Sequence, residues 1–370
     1  MGAATRRGVT LPGIAFPIAV FAAWRVAQLY LLGLAEGDPV DAAFQWDGNA
    51  YRRILVSGYH VSSGEVRPVT AFFPGIAWVA KVPDLVLGHT AAMVLTANVI
   101  ALLAFIAVWA VATEWRDEQL GRASVILIAL WPASLFYWSF FSEAMFVATT
   151  AGAVWADRRN HRWLAALLLG FAALTRSQGV LVTAVLVGLR VVRRRRIDGT
   201  ALLYSVAAVI GIAAVMYAQR EQAGDALAFL HHQDDWGRSI TFPWTALREG
   251  IGALKGGQPR LAKWLDLLGI TAMGLAVVWA VWPRSRSGRR RTPPLPPESW
   301  LLTVAIVIVP LCSGLLSSMN RYVASAWAGF VILAAWLQTA NVRVRWAVYG
   351  ALALASIYFS RYWAQGEFIG

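Results

Sequence analysis

This chain is poor in charge and nearly devoid of cysteine. Only 14% of its 370 residues are charged, 58% are hydrophobic, and the mean hydropathy is +0.55. That balance excludes an ordinary soluble enzyme. Apolar runs near the roughly 20 residues that span a bilayer indicate repeated membrane crossings. The single cysteine, Cys312, excludes an intrachain disulfide and argues against thiol chemistry. Acidic residues are also few, 20 against 33 Lys and Arg, for a net charge of +13. The excess sits in short loops beside apolar segments, where topology and anionic lipid headgroups account for it, so nucleic acid is not an expected partner. Internal repeats are lacking, which weighs against transporters with duplicated halves. Residues 12–35 form an apolar run too long for a signal peptide and lack a small-x-small site after it, so a retained first helix is expected. Arg25 and Gln28 lie one turn apart within it, and that face should point into protein.

What is present is a regular alternation of apolar segments and basic runs. Arg6-Arg7, Arg158-Arg159, Arg193 to Arg196, Arg289 to Arg291 and Arg343/Arg345 mark one face, the cytoplasmic one by the positive-inside rule. The expected fold is all-α, one integral membrane domain over residues 1–370, a polytopic helical bundle of about 11 spans. The spans are 12–35, 91–113, 122–138, 144–156, 163–175, 178–192, 199–219, 260–282, 299–317, 322–338 and 346–363. Residues 72–88, interrupted by Lys81, Pro83 and Asp84, read as an interfacial or re-entrant helix that does not cross. Two loops on the far side from the basic runs are long, 36–71 and 220–259. A basic, Pro-rich linker occupies 284–297 on the inside. The N-terminus is then cytoplasmic, and the chain a multi-pass protein of the cell membrane.

This threading gathers the polar motifs on the extracytoplasmic face. Asp47, in Gln45-Trp46-Asp47-Gly48-Asn49-Ala50-Tyr51, is either a general base or a helix cap, since DGNAYRRIL looks like a helix start. Ser142 and Glu143 follow an aromatic stretch, where an unpaired carboxylate is costly. Arg176, between two short apolar segments, must pair with a carboxylate or a phosphate. The densest cluster is His231, His232, Gln233, Asp234, Asp235, Trp236, Gly237 and Arg238. Its adjacent histidines diverge, so no metal site is expected; a divalent metal is compatible with the loops but not required. Gln233 and Trp236 fit one helical face, and Arg238 suits a phosphate through its fork of donors. Asn320, Arg321 and Tyr322 close the set, with Arg321 a second phosphate ligand or an interfacial anchor.

In order, WDGNAYRRILVSGY, AFFP, WPASLFYWSFFSEAMF, ALTRSQG, HHQDDWGR–PW and SSMNRYV resemble the PIG-V-like mannosyltransferases of the GT-C glycosyltransferase superfamily, over about residues 12–340. The resemblance implies a polyprenyl-phosphate sugar donor, an extracytoplasmic site and an essential Asp in the first outer loop, matching Asp47. It departs from the family at Ala50, often His or Trp there, and at Ser139-Phe140-Phe141, often small-Pro-Tyr. The implied reaction moves a sugar, mannose in the family, to an acceptor hydroxyl on a lipid or glycan, with inversion. Asp47 would be catalytic. Arg238, Arg321, His231, His232 and Arg176 would bind the donor phosphate. Trp46, Tyr51, Ser142, Glu143, Gln233, Trp236, Asn320 and Tyr322 would contact sugar or acceptor. No cofactor is implied. The alternatives are a GT-C transferase of another sugar, or a flippase or transporter of lipid-linked sugars.

Overall fold

A computed structural model describes residues 11–33, 40–41, 44–60, 69–255, 261–282 and 294–367. Arg6-Arg7, Arg289 to Arg291 and much of the 36–71 loop and 284–297 linker lie outside the described residues, as does the side chain of Trp236. The described residues are helical with no strand. The helices are α1 (Leu11–Gly33), α2 (Asp47–Ser57), α3 (Gly75–Leu87), α4 (His89–Trp115), α5 (Glu118–Leu130), α6 (Glu143–Arg158), α7 (Arg162–Thr175), α8 (Gln178–Arg194) and α9 (Gly199–Ala223). There follow α10 (Ala228–His231), α11 (Pro243–Lys255), α12 (Leu261–Val281), α13 (Pro297–Leu311), α14 (Met319–Ser325), α15 (Trp327–Leu337) and α16 (Val342–Ala364). Four are long and apolar enough to cross a membrane: Gly13–Gly33, His89–Trp115, Gly199–Ala223 and Ala262–Val281.

Two expected spans are broken. The apolar run 122–138 holds α5 only to Leu130, then a 3₁₀ turn over Pro132–Tyr137. The cause is local: Trp131 precedes a proline, which excludes it from the helical region, and it sits extended at φ −62, ψ 135. The run 322–338 divides at Ala326 into α14 and α15. Here the Tyr137 hydroxyl donates to the Ala324 carbonyl, competing with the helix ladder just where it stops.

The helices alternate between two ends of the bundle. At one end, Glu298 accepts from Arg158 and Arg193 at 2.7 Å each, Arg159 pairs with Glu114 at 2.8 Å, and Arg190 holds Asp198 at 2.8 Å. Asp117, Asp198 and Asn341 cap α5, α9 and α16 there, each accepting from a first-turn backbone N–H. At the other end, about 22 Å along α6 from Arg158, lie Glu143, the Thr175–Arg176 turn and the 318–322 segment. Gly75 opens α3 against Thr175 at that same end, and α4 runs from α3 down to Glu114 at the basic end. Both termini of α3 therefore lie at the Glu143 end of the bundle.

The centre is packed through small residues, as membrane bundles require. α4 packs on α3, α5 and α6, and α7 on α6 and α9. α7 and α9 cross where a Cβ at Gly211 would run into the Gly170 carbonyl. Gly211→Val should therefore lower the thermal midpoint in detergent, at a cost of roughly 1–3 kcal/mol. Gly188→Ala, with open space around it, should leave the midpoint unchanged or raise it. Equal midpoints for the two variants would contradict the close crossing.

Candidate active site

The site is built on two buried side chains that meet from distant parts of the chain. Glu143 opens α6 and is fully buried. Arg321 sits on α14 and donates through Nε to Glu143 Oε1 at 2.9 Å, while its Nη1 pairs with Asp47 Oδ2. Arg176, just past the end of α7, reaches the same Glu143 oxygen at 3.4 Å and donates to Ser325 Oγ at 2.7 Å. One carboxylate oxygen thus joins two guanidinium groups. The 132–141 segment walls this pair with aromatic rings: the Arg321 guanidinium carbon lies 4.7 Å from the Phe141 ring centre and 5.4 Å from that of Phe136. A cation against rings in a dry pocket gains more than at a surface.

Tyr322 extends the site toward the loop. Its hydroxyl accepts from Arg238 Nη1 at 2.7 Å, and its ring lies under Arg176 at 4.8 Å and Arg238 at 5.7 Å. Tyr51 of α2 is buried against Phe72 and Phe140. Three guanidinium groups, of Arg176, Arg238 and Arg321, therefore face two carboxylates, of Asp47 and Glu143, leaving one positive charge.

Asp47 occupies the first turn of α2, where a carboxylate also meets the positive end of the helix dipole. It does not cap: the N-cap position is Trp46, at φ 53, and no side-chain cap bond forms. The two carboxylates differ in access. Glu143 has 0% side-chain exposure and Asp47 13%, so Asp47 alone of the pair can meet a molecule arriving from outside.

The 228–238 loop divides. Arg238 joins the cluster; the histidines do not. His231 Nδ1 lies 2.6 Å from Asp225, and His232 Nδ1 lies 2.7 Å from Thr70 Oγ1. The Leu227 N–H and His231 hold the Asp225 carboxyl below the usual carboxylate range. No regular helix carries Gln233 and Trp236 together: α10 stops at His231, residues 234–236 form a 3₁₀ turn, and the Gln233 amide turns back to the Phe229 carbonyl at 2.9 Å. Asn320 is fully buried, accepts from Trp131 Nε1 at 3.2 Å, and has an unpartnered amide nitrogen. Among the described residues no group of three or more His, Cys, Asp or Glu is placed to hold a metal ion.

Two carboxylates that the sequence reading passed over set the position of Arg321. Asp266 of α12 accepts from the Asn320 N–H at 2.6 Å, and Glu249 of α11 accepts from the Leu316 N–H at 3.0 Å. Together they clamp the segment leading into α14, where Ser318 takes the left-handed conformation at φ 67. The signal was available for Asp266, a lone carboxylate inside an apolar span.

The ion cluster predicts strong coupling. Glu143→Leu leaves two guanidinium groups without their shared partner and should cost about 3–5 kcal/mol in thermal or denaturant unfolding in detergent. Glu143→Leu/Arg321→Leu should cost clearly less than the sum of the single variants, by about 0.5–3 kcal/mol. Strict additivity would show that the two groups do not act together.

Comparison with known proteins agrees with this architecture. The family described as mannosyltransferase (PIG-V) matches residues 78–196. Among solved structures, ArnT from Cupriavidus metallidurans bound to undecaprenyl phosphate superposes with a TM-score of 0.56 at 16% identity, covering 90% of this chain and 61% of that one. The Archaeoglobus fulgidus oligosaccharyltransferase, in a complex with Zn and sulfate, gives 0.47 at 15% identity over 94% of this chain and 52% of that one. The chain thus spans between half and two thirds of the length of these structures. No curated protein sequence matches. The chain has a GT-C-type all-helical fold and is similar to the PIG-V mannosyltransferases over the segment from α3 to the end of α8.

Proposed function

We propose that this chain is a membrane glycosyltransferase that moves a sugar, mannose, from a polyprenyl-phosphate donor to a hydroxyl of an extracytoplasmic lipid- or glycan-linked acceptor. The observation that carries this reading is the single cluster formed by Asp47, Glu143, Arg176, Arg238 and Arg321, from five motifs spread over the chain. Its unbalanced positive charge suits a phosphate. Its position at the end of the bundle opposite the basic turns supports an extracytoplasmic site with a cytoplasmic N-terminus, by the positive-inside rule.

The roles follow from exposure and partners. Glu143 is sealed and accepts from two arginines, which suits a fixed anchor for Arg321 and Arg176. Asp47 reaches the surface, and Arg321 pairs with one of its oxygens, which orients the carboxylate. Its other oxygen is then available to the acceptor. The acceptor hydroxyl attacks the anomeric carbon as the bond from that carbon to the phosphate oxygen breaks. Asp47 takes the hydroxyl proton, and the polyprenyl phosphate leaves as an anion. A single displacement inverts the anomeric centre, through a transition state of oxocarbenium character. Arg238 and Arg321 meet the charge growing on the departing phosphate with preset guanidinium donors. Arg238, on a half-buried loop, is the more adaptable of the two. Tyr51, Ser142 and Asn320 are buried and pack behind the cluster, while the partly exposed Tyr322 is the one of these four placed to meet sugar or acceptor.

The test uses purified protein in liposomes with synthetic polyprenyl-phosphate-mannose, and native lipid extract as the source of acceptors. Wild type should consume donor and form a new glycolipid. Asp47→Asn should lose at least about 10²-fold in turnover while keeping its fold. Arg238→Gln should chiefly raise the Michaelis constant for donor. Full activity in Asp47→Asn would remove the base assignment, and unchanged donor kinetics in Arg238→Gln would remove Arg238 from the phosphate site.

A further inference from the structure

A second cation, away from the cluster just described, has no counter-charge. Arg25 lies in α1, a helix whose membrane-spanning stretch is only 17% buried by the rest of the protein. Its Nε donates to Asn98 Oδ1 of α4 at 2.7 Å, and its guanidinium carbon lies 4.7 Å from the ring centre of Trp138. Both partners are neutral. Nη1 is buried without a hydrogen-bond partner, and so is Trp138 Nε1. Among the described residues no carboxylate lies within ion-pair distance of Arg25. Every other guanidinium held inside this bundle at the site end has a carboxylate or a phenol: Arg321 has two carboxylates, Arg176 has Glu143, and Arg238 has Tyr322.

The height of Arg25 is fixed by its neighbours. Gln28, one turn further along α1, accepts from Ser360 at 2.9 Å, and Ser360 lies about 27 Å along α16 from Val342. Arg25 is therefore near the level of Glu143, in the leaflet on the site side. The 132–141 segment separates the two positions by side-chain direction: it offers Phe136 and Phe141 to Arg321, and Trp138 to Arg25.

A guanidinium in hydrocarbon with two neutral contacts and an unused donor calls for an anion from outside the protein. The surface around it is lipid, so the anion must come on a lipid. We infer that Arg25, with Asn98 and Trp138, forms a site for the phosphate of a membrane lipid, in the groove between α1 and α4. Arg25 supplies the charge, Asn98 holds its Nε, and Nη1 and the Trp138 N–H lie beneath, on the protein side of the guanidinium. Flanking apolar residues on the exposed faces, Val26 and Leu29 of α1 with Leu95 and Val99 of α4, would receive the acyl or prenyl chains. The inference rests on α1 lying in a bilayer and not on the transferase reading. The phosphate could belong to a bulk phospholipid or to a polyprenyl-phosphate carrier, and the experiment separates these sources.

Delipidated full-length protein would be titrated with phosphatidylglycerol, undecaprenyl phosphate or diacylglycerol, and bound lipid counted by native mass spectrometry. Wild type should retain one equivalent of a phosphate-bearing lipid more than of diacylglycerol, and the tighter of the two phosphates identifies the source. Arg25→Gln should weaken that equivalent by about tenfold or more, the usual worth of a charge-assisted bond to phosphate. Asn98→Asp is the second variant: it keeps the shape, gives Arg25 an internal counter-charge, and should weaken lipid binding to a similar extent. Because it adds an ion pair, it tests the site even if Arg25→Gln does not fold. Loss in these variants supports the site whether or not sugar transfer is ever detected. Equal retention of phosphate lipids by wild type and Asn98→Asp, or binding of diacylglycerol as well as the phosphates, would overturn it.

Discussion

Glu143 is the group on which the site depends. It is a carboxylate with no access to water, placed at the first turn of α6 where the chain leaves an aromatic segment, and it is tolerable there only because Arg321 and Arg176 both reach it. That requirement fixes the relative position of three elements remote in sequence: α6, the end of α7, and α14. Asp47 is then added at the edge, through the remaining arm of Arg321. The backbone of the 316–320 segment is held from the other side by Asp266 and Glu249. Arg321 is thus clamped at its head by carboxylates and at its backbone by two more, which suits a group that must meet a developing charge without rearranging.

The bundle provides the contrast between its ends that makes this arrangement meaningful. At the end carrying the basic turns, ions pair closely and N-caps are filled by Asp and Asn, as expected where helices start beside water. At the other end the polar groups converge beneath aromatic rings, and in the cluster of Asp47, Glu143, Arg176, Arg238 and Arg321 three guanidinium groups meet two carboxylates. A structural salt-bridge network has no need of that surplus. A site for an anionic lipid-linked substrate does, which is why the imbalance favours chemistry over simple stapling of helices.

Much of the architecture was legible in the sequence because membrane helices write themselves as apolar runs and basic turns mark one face. The helices from α6 to α9 fall within a few residues of their expected bounds, and α3 lies on one side as its interrupted run implied. The break at Trp131 follows from Pro132, a constraint written in the sequence, whereas that at Ala326 was not legible, since it depends on the hydroxyl of Tyr137 taking a carbonyl. The gathering of the polar motifs on one face could be read from threading alone. Which carboxylate meets which arginine could not, because Asp47 and Arg321 lie 274 residues apart and nothing local encodes their pairing. The histidines illustrate the same limit: adjacent in sequence, they turn to Asp225 and Thr70 and leave Arg238 to join the cluster alone.

The most direct test of the central claim is a cryo-electron microscopy structure of the chain in nanodiscs with a non-transferable polyprenyl-phosphate-mannose analogue. The account predicts the phosphate against Arg238 and Arg321, with the free oxygen of Asp47 facing the anomeric carbon and Glu143 still joining Arg321 to Arg176. A phosphate seated away from these arginines, or an Asp47 turned from the sugar with both oxygens held by protein, would contradict it.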